Sequence, residues 1–422
     1  MKKLVSFILV IALLCSISAA MADPTKIDGL AKRKIKTHDA GLNASADEMI
    51  ANHISPTTGR KLDEIEFPDE GFSGTAVTGV YQPIMVQISN AGGGVNVSAK
   101  TGMPLTAPIN AKYADVVYEA CQANSKDGGS LTRFTMVFSD TVPEYVGFVR
   151  STRLTHPRIR QEWDCAFVTS GYSNADVPAE WKALGVKSPS SKERTENDPG
   201  LVYVQNYPKV WAKYMFHLKG ISDANDHVYR LADIVNYIIP KDHVPANHTF
   251  KFTDSLEGGD SGEIIYVTFG GGTKTDSRLE YDPDKNVYLR YVAIKGQDDA
   301  LYREQVLVNP QVKKVSTDNG LLDMVVCDDR VYGDAITYTN VIIQGIEMKW
   351  KGSERPNPTL TGTGNADYFM GGKHFKGVWS RKDMNSRTVF YGEDGNEISL
   401  LRGRTLIVLM DYNQKGRSVK YE

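Results

Sequence analysis

The residues best placed to bind or to do chemistry lie in Val146-Gly147-Phe148-Val149-Arg150-Ser151-Thr152-Arg153. Their order predicts a short β-branched strand running into a Ser-Thr helix cap, with two arginines straddling the turn. Ser151 or Thr152 would bond the free backbone N–H groups of the helix that follows. The positive end of that helix would add to the guanidinium groups of Arg150 and Arg153, so the corner suits an anion. Arg133, in a strand-like run upstream, is counted with them. Ion pairing inside the chain is the competing reading of these arginines.

Asp115 and Glu119 are the best candidates for paired acids. In a strand their spacing puts both on one face. Two neighbouring carboxylates could split their pKa values and act as acid and base. The competing reading is a salt bridge to Arg133 or Arg150. No H-E-x-x-H or G-x-S-x-G occurs, so no catalytic residue is named. Asp282-x-Asp284-x-Asn286 resembles the start of a calcium loop, but Val287 stands where the loop needs Gly and Ala293 where it needs Glu. A hairpin turn fits better. Gly362-x-Gly364 is too short for a dinucleotide loop. Of the eight His, only His243 and His248 are close in sequence, with no Cys pair beside them. Neither a metal nor a cofactor is expected.

The first residues carry a secretory pattern. Lys2 and Lys3 form a basic region, Leu4 to Ile17 an apolar one, and Ala20-Met21-Ala22 a cleavage site, which predicts a mature start at Asp23. Leu14 before Cys15 disfavours lipid attachment. No later apolar run is long enough to span a bilayer, so a secreted, extracytoplasmic protein is expected. Cys121, Cys165 and Cys327 remain, each in an apolar context. Buried free thiols are expected, with one disulfide as the alternative. The formal net charge of −2 gives no basic excess for nucleic acid. The 21 Tyr and 14 Phe favour β structure with packed cores.

About 400 mature residues suggest two domains and a tail. Residues 23–77 read as a flexible polar tether, with a capping box of Ser45 and Glu48 opening a short helix at Ala46 to Ala51. Strands are expected at Pro83 to Ile88, Ala114 to Ala120, Leu131 to Phe138, Val146 to Val149 and Ala166 to Thr169. Helices are expected at Thr152 to Glu162, Pro178 to Leu184, Tyr207 to His217 and Tyr229 to Ile238. Their alternation argues an α/β domain over 78–254. A Gly-, Ser- and acid-rich linker follows at Ser255 to Gly262. The remainder, 262–422, reads as a β-rich domain with a hairpin at Ser277 to Val292. The expected class is therefore α+β or α/β: an N-terminal α/β domain followed by a mainly-β C-terminal one.

These residues resemble the YerB-like family, a domain-of-unknown-function family of extracytoplasmic, often lipid-anchored, bacterial proteins. The likeness runs from Ser55-Pro56-Thr57-Thr58-Gly59 almost to the C-terminus. It includes Ala114-Asp115-Val116-Val117-Tyr118-Glu119-Ala120, Leu131-Thr132-Arg133-Phe134 and the arginine turn, which matches V-G-P-I-R-S-x-R. Trp163-Asp164-Cys165-Ala166-Phe167-Val168, Tyr288-Leu289-Arg290 and Gly377-Val378-Trp379 also match. The chain departs from the family at Phe148, where Pro is usual, and at the lipid-bearing Cys. Asn225-Asp226-His227 replaces the family's P-H-N, which weakens any role for His227. The resemblance implies no reaction.

The leading expectation is a secreted or envelope-associated protein that binds an anionic cell-envelope ligand at Arg133, Arg150 and Arg153, with Ser151 and Thr152 as cap. One rival is an envelope-polymer hydrolase or transferase with Asp115 or Glu119 as acid or base. Another is a module that docks an envelope protein. Neither nucleic acid nor a membrane span after signal cleavage enters any of the three.

Overall fold

The structure, a computed structural model, describes residues 23–422 apart from 40, 42, 69, 91–103, 125–129, 187–201, 205–213, 222–225, 271–275, 295–296, 318–319 and 352–354. Residues 1–22, the expected signal segment, and most of the expected Asn90 to Ala99 loop therefore lie outside the described residues. No described helix is long and apolar enough to cross a membrane.

The chain is mostly β. Its centre is a sheet of eleven strands: β1 (Ile84–Ser89), β2 (Val116–Asn124), β3 (Ser130–Phe138), β4 (Ala166–Thr169), β5 (Val202–Val204), β6 (Asp260–Ser261), β7 (Asn340–Gly345), β8 (Gly362–Met370), β9 (Lys373–Arg381), β10 (Val389–Gly392) and β11 (Thr405–Met410). The order across it is β6-β9-β8-β7-β11-β2-β3-β1-β4-β5, with β10 on β9. β11 explains the arrangement. Its sequence, Thr-Leu-Ile-Val-Leu-Met, is buried throughout. It pairs parallel with β7 on one side and β2 on the other, as strands covered on both faces do. Leu406, Val408 and Met410 enter one core, while Ile407 and Leu409 enter the other. Each such side chain stabilises the fold by about 1.5–3 kcal/mol.

The division expected at Ser255 to Gly262 falls inside this sheet. Asp260–Ser261 pairs with Lys373 and His374 at its edge, and β11 joins strands from both sides of the division. A second sheet also crosses it: Gly320–Val326 pairs with Met215–Leu218, which pairs with His227–Arg230 and, through that strand, with Tyr145–Gly147. Residues 23–77 are likewise tied down. Thr25–Lys26 pairs with Lys420 and Tyr421, Arg33 bridges to Asp367 at 2.8 Å, and Ser55, Thr57 and Thr58 are buried. A polar segment can be ordered when its hydroxyls and charges find partners elsewhere, which composition alone does not reveal.

Five short α-helices occur among the described residues: α1 (Ala46–Ala51), α2 (Thr75–Thr78), α3 (Thr155–Trp163), α4 (Asp176–Ala183) and α5 (Leu231–Tyr237). The α1 capping box of Ser45 and Glu48 is present. β1, β4 and β5 are parallel, with α3 before β4 and α4 after it. Three differences from expectation have physical causes. Of the helix expected at Tyr207 to His217, residues 207–213 lie outside the description, and Met215–Leu218 is a strand because it has strand partners on both sides. α5 starts only at Leu231, because His227–Arg230 belongs to the same sheet. α3 starts at Thr155 without a side-chain cap. Thr152 upstream is held extended, bridged to Tyr172, with its N–H on the Gly171 carbonyl at 3.0 Å. The hairpin at Asp282 to Asn286 forms as expected, with the Asp282 carboxylate accepting from the Asp284 and Lys285 N–H groups.

Candidate functional site: an arginine corner and a carboxylate pair

Val149 carries the chain off the strand Tyr145–Gly147 and into the arginine corner. The Val149 N–H donates to the His227 carbonyl and the Arg150 N–H to the Gln87 carbonyl on β1. Thr169 and Ser170, at the end of β4, close on the Arg150 carbonyl from the other side, at 3.0 and 3.1 Å. The corner thus sits at the carboxyl end of a parallel strand, where open sheets present ligand sites. Arg133 on β3 donates to the Ser151 carbonyl at 2.6 Å. Arg153 donates to the same oxygen at 3.3 Å. Arg133 and Arg153 are buried and Arg150 is partly exposed. Two like charges therefore share the Ser151 carbonyl, and Arg153 reaches the Thr152 carbonyl as well, at 3.4 Å.

The roles expected of Ser151 and Thr152 are corrected. Ser151 contributes its carbonyl to the arginines. Thr152 pairs its hydroxyl with that of Thr169 at 2.6 Å. The residue that reaches back to the turn is His156, whose Nδ1 accepts from the Arg153 N–H at 2.9 Å. Burial, with the charges of Arg133 and Arg153, holds His156 well below the usual histidine range. It stays neutral, with its proton on Nε2, and among the described residues that nitrogen has no partner.

The structure separates Asp115 from Glu119. Glu119 is fully buried against Arg290, which donates to both of its oxygens at 2.7 and 3.1 Å. Asn90 and Thr132 each donate to one of those oxygens at 2.8 Å. The rings of Phe134 and Tyr302 lie 4.9 and 5.8 Å from the guanidinium carbon. Glu119 thus has a salt bridge, as the competing reading held, but its partner comes from the C-terminal half instead of being Arg133 or Arg150. A carboxylate closed in this way has no site for a substrate.

Asp115 pairs instead with Asp140. Asp115 accepts from the Ser139 and Asp140 N–H groups, each at 2.8 Å, and from the Thr57 hydroxyl at 3.0 Å. Asp140 accepts from Ser55 and Thr58 at 2.6 and 2.7 Å. Burial and the charge of Asp140 push Asp115 well above the usual carboxylate range. Burial also raises Asp140, against the pull of the Ser55, Thr58 and Thr57 hydroxyls. Both carboxyls line a cavity of about 770 Å³, together with Arg60, Lys112, Tyr113 and Arg404. Arg404 donates to the Ala114 and Ala111 carbonyls at 2.7 and 2.8 Å, which fixes the cavity floor. Nearby Glu304 is raised to about 7 by burial.

Two family models match the chain. Residues 76–215 match the N-terminal domain, and residues 323–407 the C-terminal domain, of the protein family of unknown function DUF3048. The chain belongs to the DUF3048 family. A crystal structure of the YerB protein from Bacillus subtilis is similar, with a TM-score of 0.51 at 16% identity, covering 84% of this chain and 96% of that one. At that identity the likeness is one of fold. None of the curated proteins matches.

The DUF3048 N-terminal match contains the arginine corner, Asp115, Glu119 and Asp140, and the C-terminal match contains Arg404. Arg290, the Ser55–Gly59 segment and a further cluster fall outside both. That cluster is His217, Asp226 and His227, whose potential ligand atoms lie within 4.8 Å of one another. His227 Nδ1 is 2.9 Å from the Ser170 hydroxyl, so the cluster adjoins the corner. Linear spacing missed it, because His217 fell at the end of an expected helix. The three cysteines carry no disulfide. Cys121 and Cys165 are buried, and Cys121 accepts from Arg417 at 3.2 Å.

Proposed function

We propose that this chain is a secreted, cell-envelope-associated binding protein that takes an anionic envelope ligand at the corner formed by Arg133, Arg150 and Arg153. The observation that carries this reading is the gathering of Arg133, Arg150 and Arg153 at the carboxyl end of a parallel strand, with Arg133 and Arg153 both reaching the Ser151 carbonyl. Three guanidinium groups at one turn raise the local positive potential, which draws an anion to it. His156, held neutral beside them with an unpartnered Nε2–H, offers a further donor. Secretion rests on the sequence of residues 1–22, and N-terminal sequencing of protein from its host should find Asp23. Calorimetric titration of the mature chain with pyrophosphate, wall teichoic acid and muropeptides tests the ligand class. At least one should bind the wild type and bind Arg150→Gln about tenfold or more weakly, the loss of one charge-assisted contact. Equal affinity in both proteins would remove the corner from the reading.

A second reading has its own support. Asp115 and Asp140 are neighbouring carboxyls, both held above the usual range, at the wall of a large polar cavity. Such a pair suits acid–base chemistry on an envelope polymer. Glu119 plays no part in it. Turnover of muropeptides or of teichoic acid by the wild type, lost in both Asp115→Asn and Asp140→Asn, would establish that activity over the binding role.

A further inference from the structure

We propose that His217, Asp226 and His227 form a binding site for one divalent first-row transition ion, of the zinc type. The sheet register brings them together. His217 and His227 are directly opposite on two antiparallel strands, so their side chains leave the sheet on one face. Asp226 is the residue before His227, and its carboxylate oxygens lie 3.1 and 3.0 Å from His217 Nδ1. That contact is a hydrogen bond, a few tenths of an ångström shorter than the roughly 3.4 Å between two ligands bound at about 2.0–2.2 Å to one tetrahedral zinc ion, so a small opening of the pair admits the ion. The third ligand is also in range, since all three donor atoms lie within 4.8 Å of one another.

The surroundings suit the assignment. The Asp226 side chain is 1% exposed, while His217 is 23% exposed and gives the ion a way in. The Ser170 hydroxyl, 2.9 Å from His227 Nδ1, orients that ring, as partners of ligating histidines do. Two imidazoles and one carboxylate select zinc and its neighbours over magnesium or calcium, which favour oxygen ligands. Three protein donors leave a coordination position for water or an anion. The assignment does not depend on anion binding at the arginine corner.

The test is zinc binding by the mature chain, tag removed and stripped with EDTA, in a buffer free of phosphate. Calorimetry and elemental analysis should give one zinc per chain. His217→Ala and His227→Ala should abolish it, each with an unchanged circular dichroism spectrum. Ser170→Ala should keep one zinc per chain with affinity reduced about 10–100-fold. The exposed His53→Ala should bind as the wild type does, and magnesium should not bind. If His227→Ala fails to fold, His217→Ala, at a partly exposed position, decides alone. No saturable zinc binding by the wild type, or equal binding by His217→Ala, overturns the site.

Discussion

Buried arginines are used in two ways in this molecule. Arg290 lies near two rings and gives both ends of its fork to Glu119, a charge-for-charge match that ties the C-terminal half to β2. Arg133 and Arg153 converge on a peptide carbonyl instead. The first arrangement is complete within the chain, because a bidentate carboxylate satisfies a guanidinium in both charge and geometry. The second gathers positive charge at a turn beside the carboxyl end of a parallel strand, which supports its proposed role as a ligand site.

The brace should be the most sensitive of these positions to mutation. Glu119→Ala leaves Arg290 charged in a dry core and should cost about 3–5 kcal/mol, read as a lower midpoint in urea unfolding. A loss under about 1 kcal/mol would mean that Arg290 is not held as described. A second effect is set by pH. Glu304 is raised from 4.5 to about 7 in the fold. A raised carboxyl favours folding while protonated, so its contribution is full below about 4.5 and falls as the pH rises towards 7. The span corresponds to about 3 kcal/mol, at 1.36 kcal/mol per unit. Glu304→Gln should flatten the stability profile between those values, and an unchanged slope would contradict the assignment. The smallest effect belongs to the corner. Arg153→Gln gives up hydrogen bonds to carbonyls and relieves repulsion from Arg133, so thermal melts should show a loss of about 1 kcal/mol or less. A loss of about 3–5 kcal/mol would make Arg153 half of an internal ion pair.

Local pattern carried much of the fold. Thr405-Leu-Ile-Val-Leu-Met reads as a buried strand, Ser45 and Glu48 as a capping box, and Asp282 to Asn286 as a turn, because each signal resides in adjacent residues. The family was legible from its ordered motifs. What sequence could not supply was partnership at a distance. Asp115 and Glu119 lie four residues apart and were expected to share a strand face and a site, yet Asp115 falls just before β2 and their partners, Asp140 and Arg290, come from other elements. Ser151 and Thr152 have the right types for a helix cap, but Gly171 and Thr169 hold Thr152 extended and the helix starts later. His217 sat in a segment with helical spacing, and strand pairing on both sides determined its place. The same long-range pairing carries the central sheet across the linker-like stretch at Ser255 to Gly262.

The arginine corner, and not the carboxylate pair, is the proposed ligand site. One set of melts tests it most directly: wild type, Arg153→Gln and Asp115→Asn, each with and without millimolar pyrophosphate. Pyrophosphate should raise the wild-type melting temperature by a few degrees, as expected for a ligand well above its dissociation constant. The same rise is expected in Asp115→Asn and none in Arg153→Gln. A rise kept in Arg153→Gln and lost in Asp115→Asn would contradict that assignment and move the site to the cavity of Asp115 and Asp140.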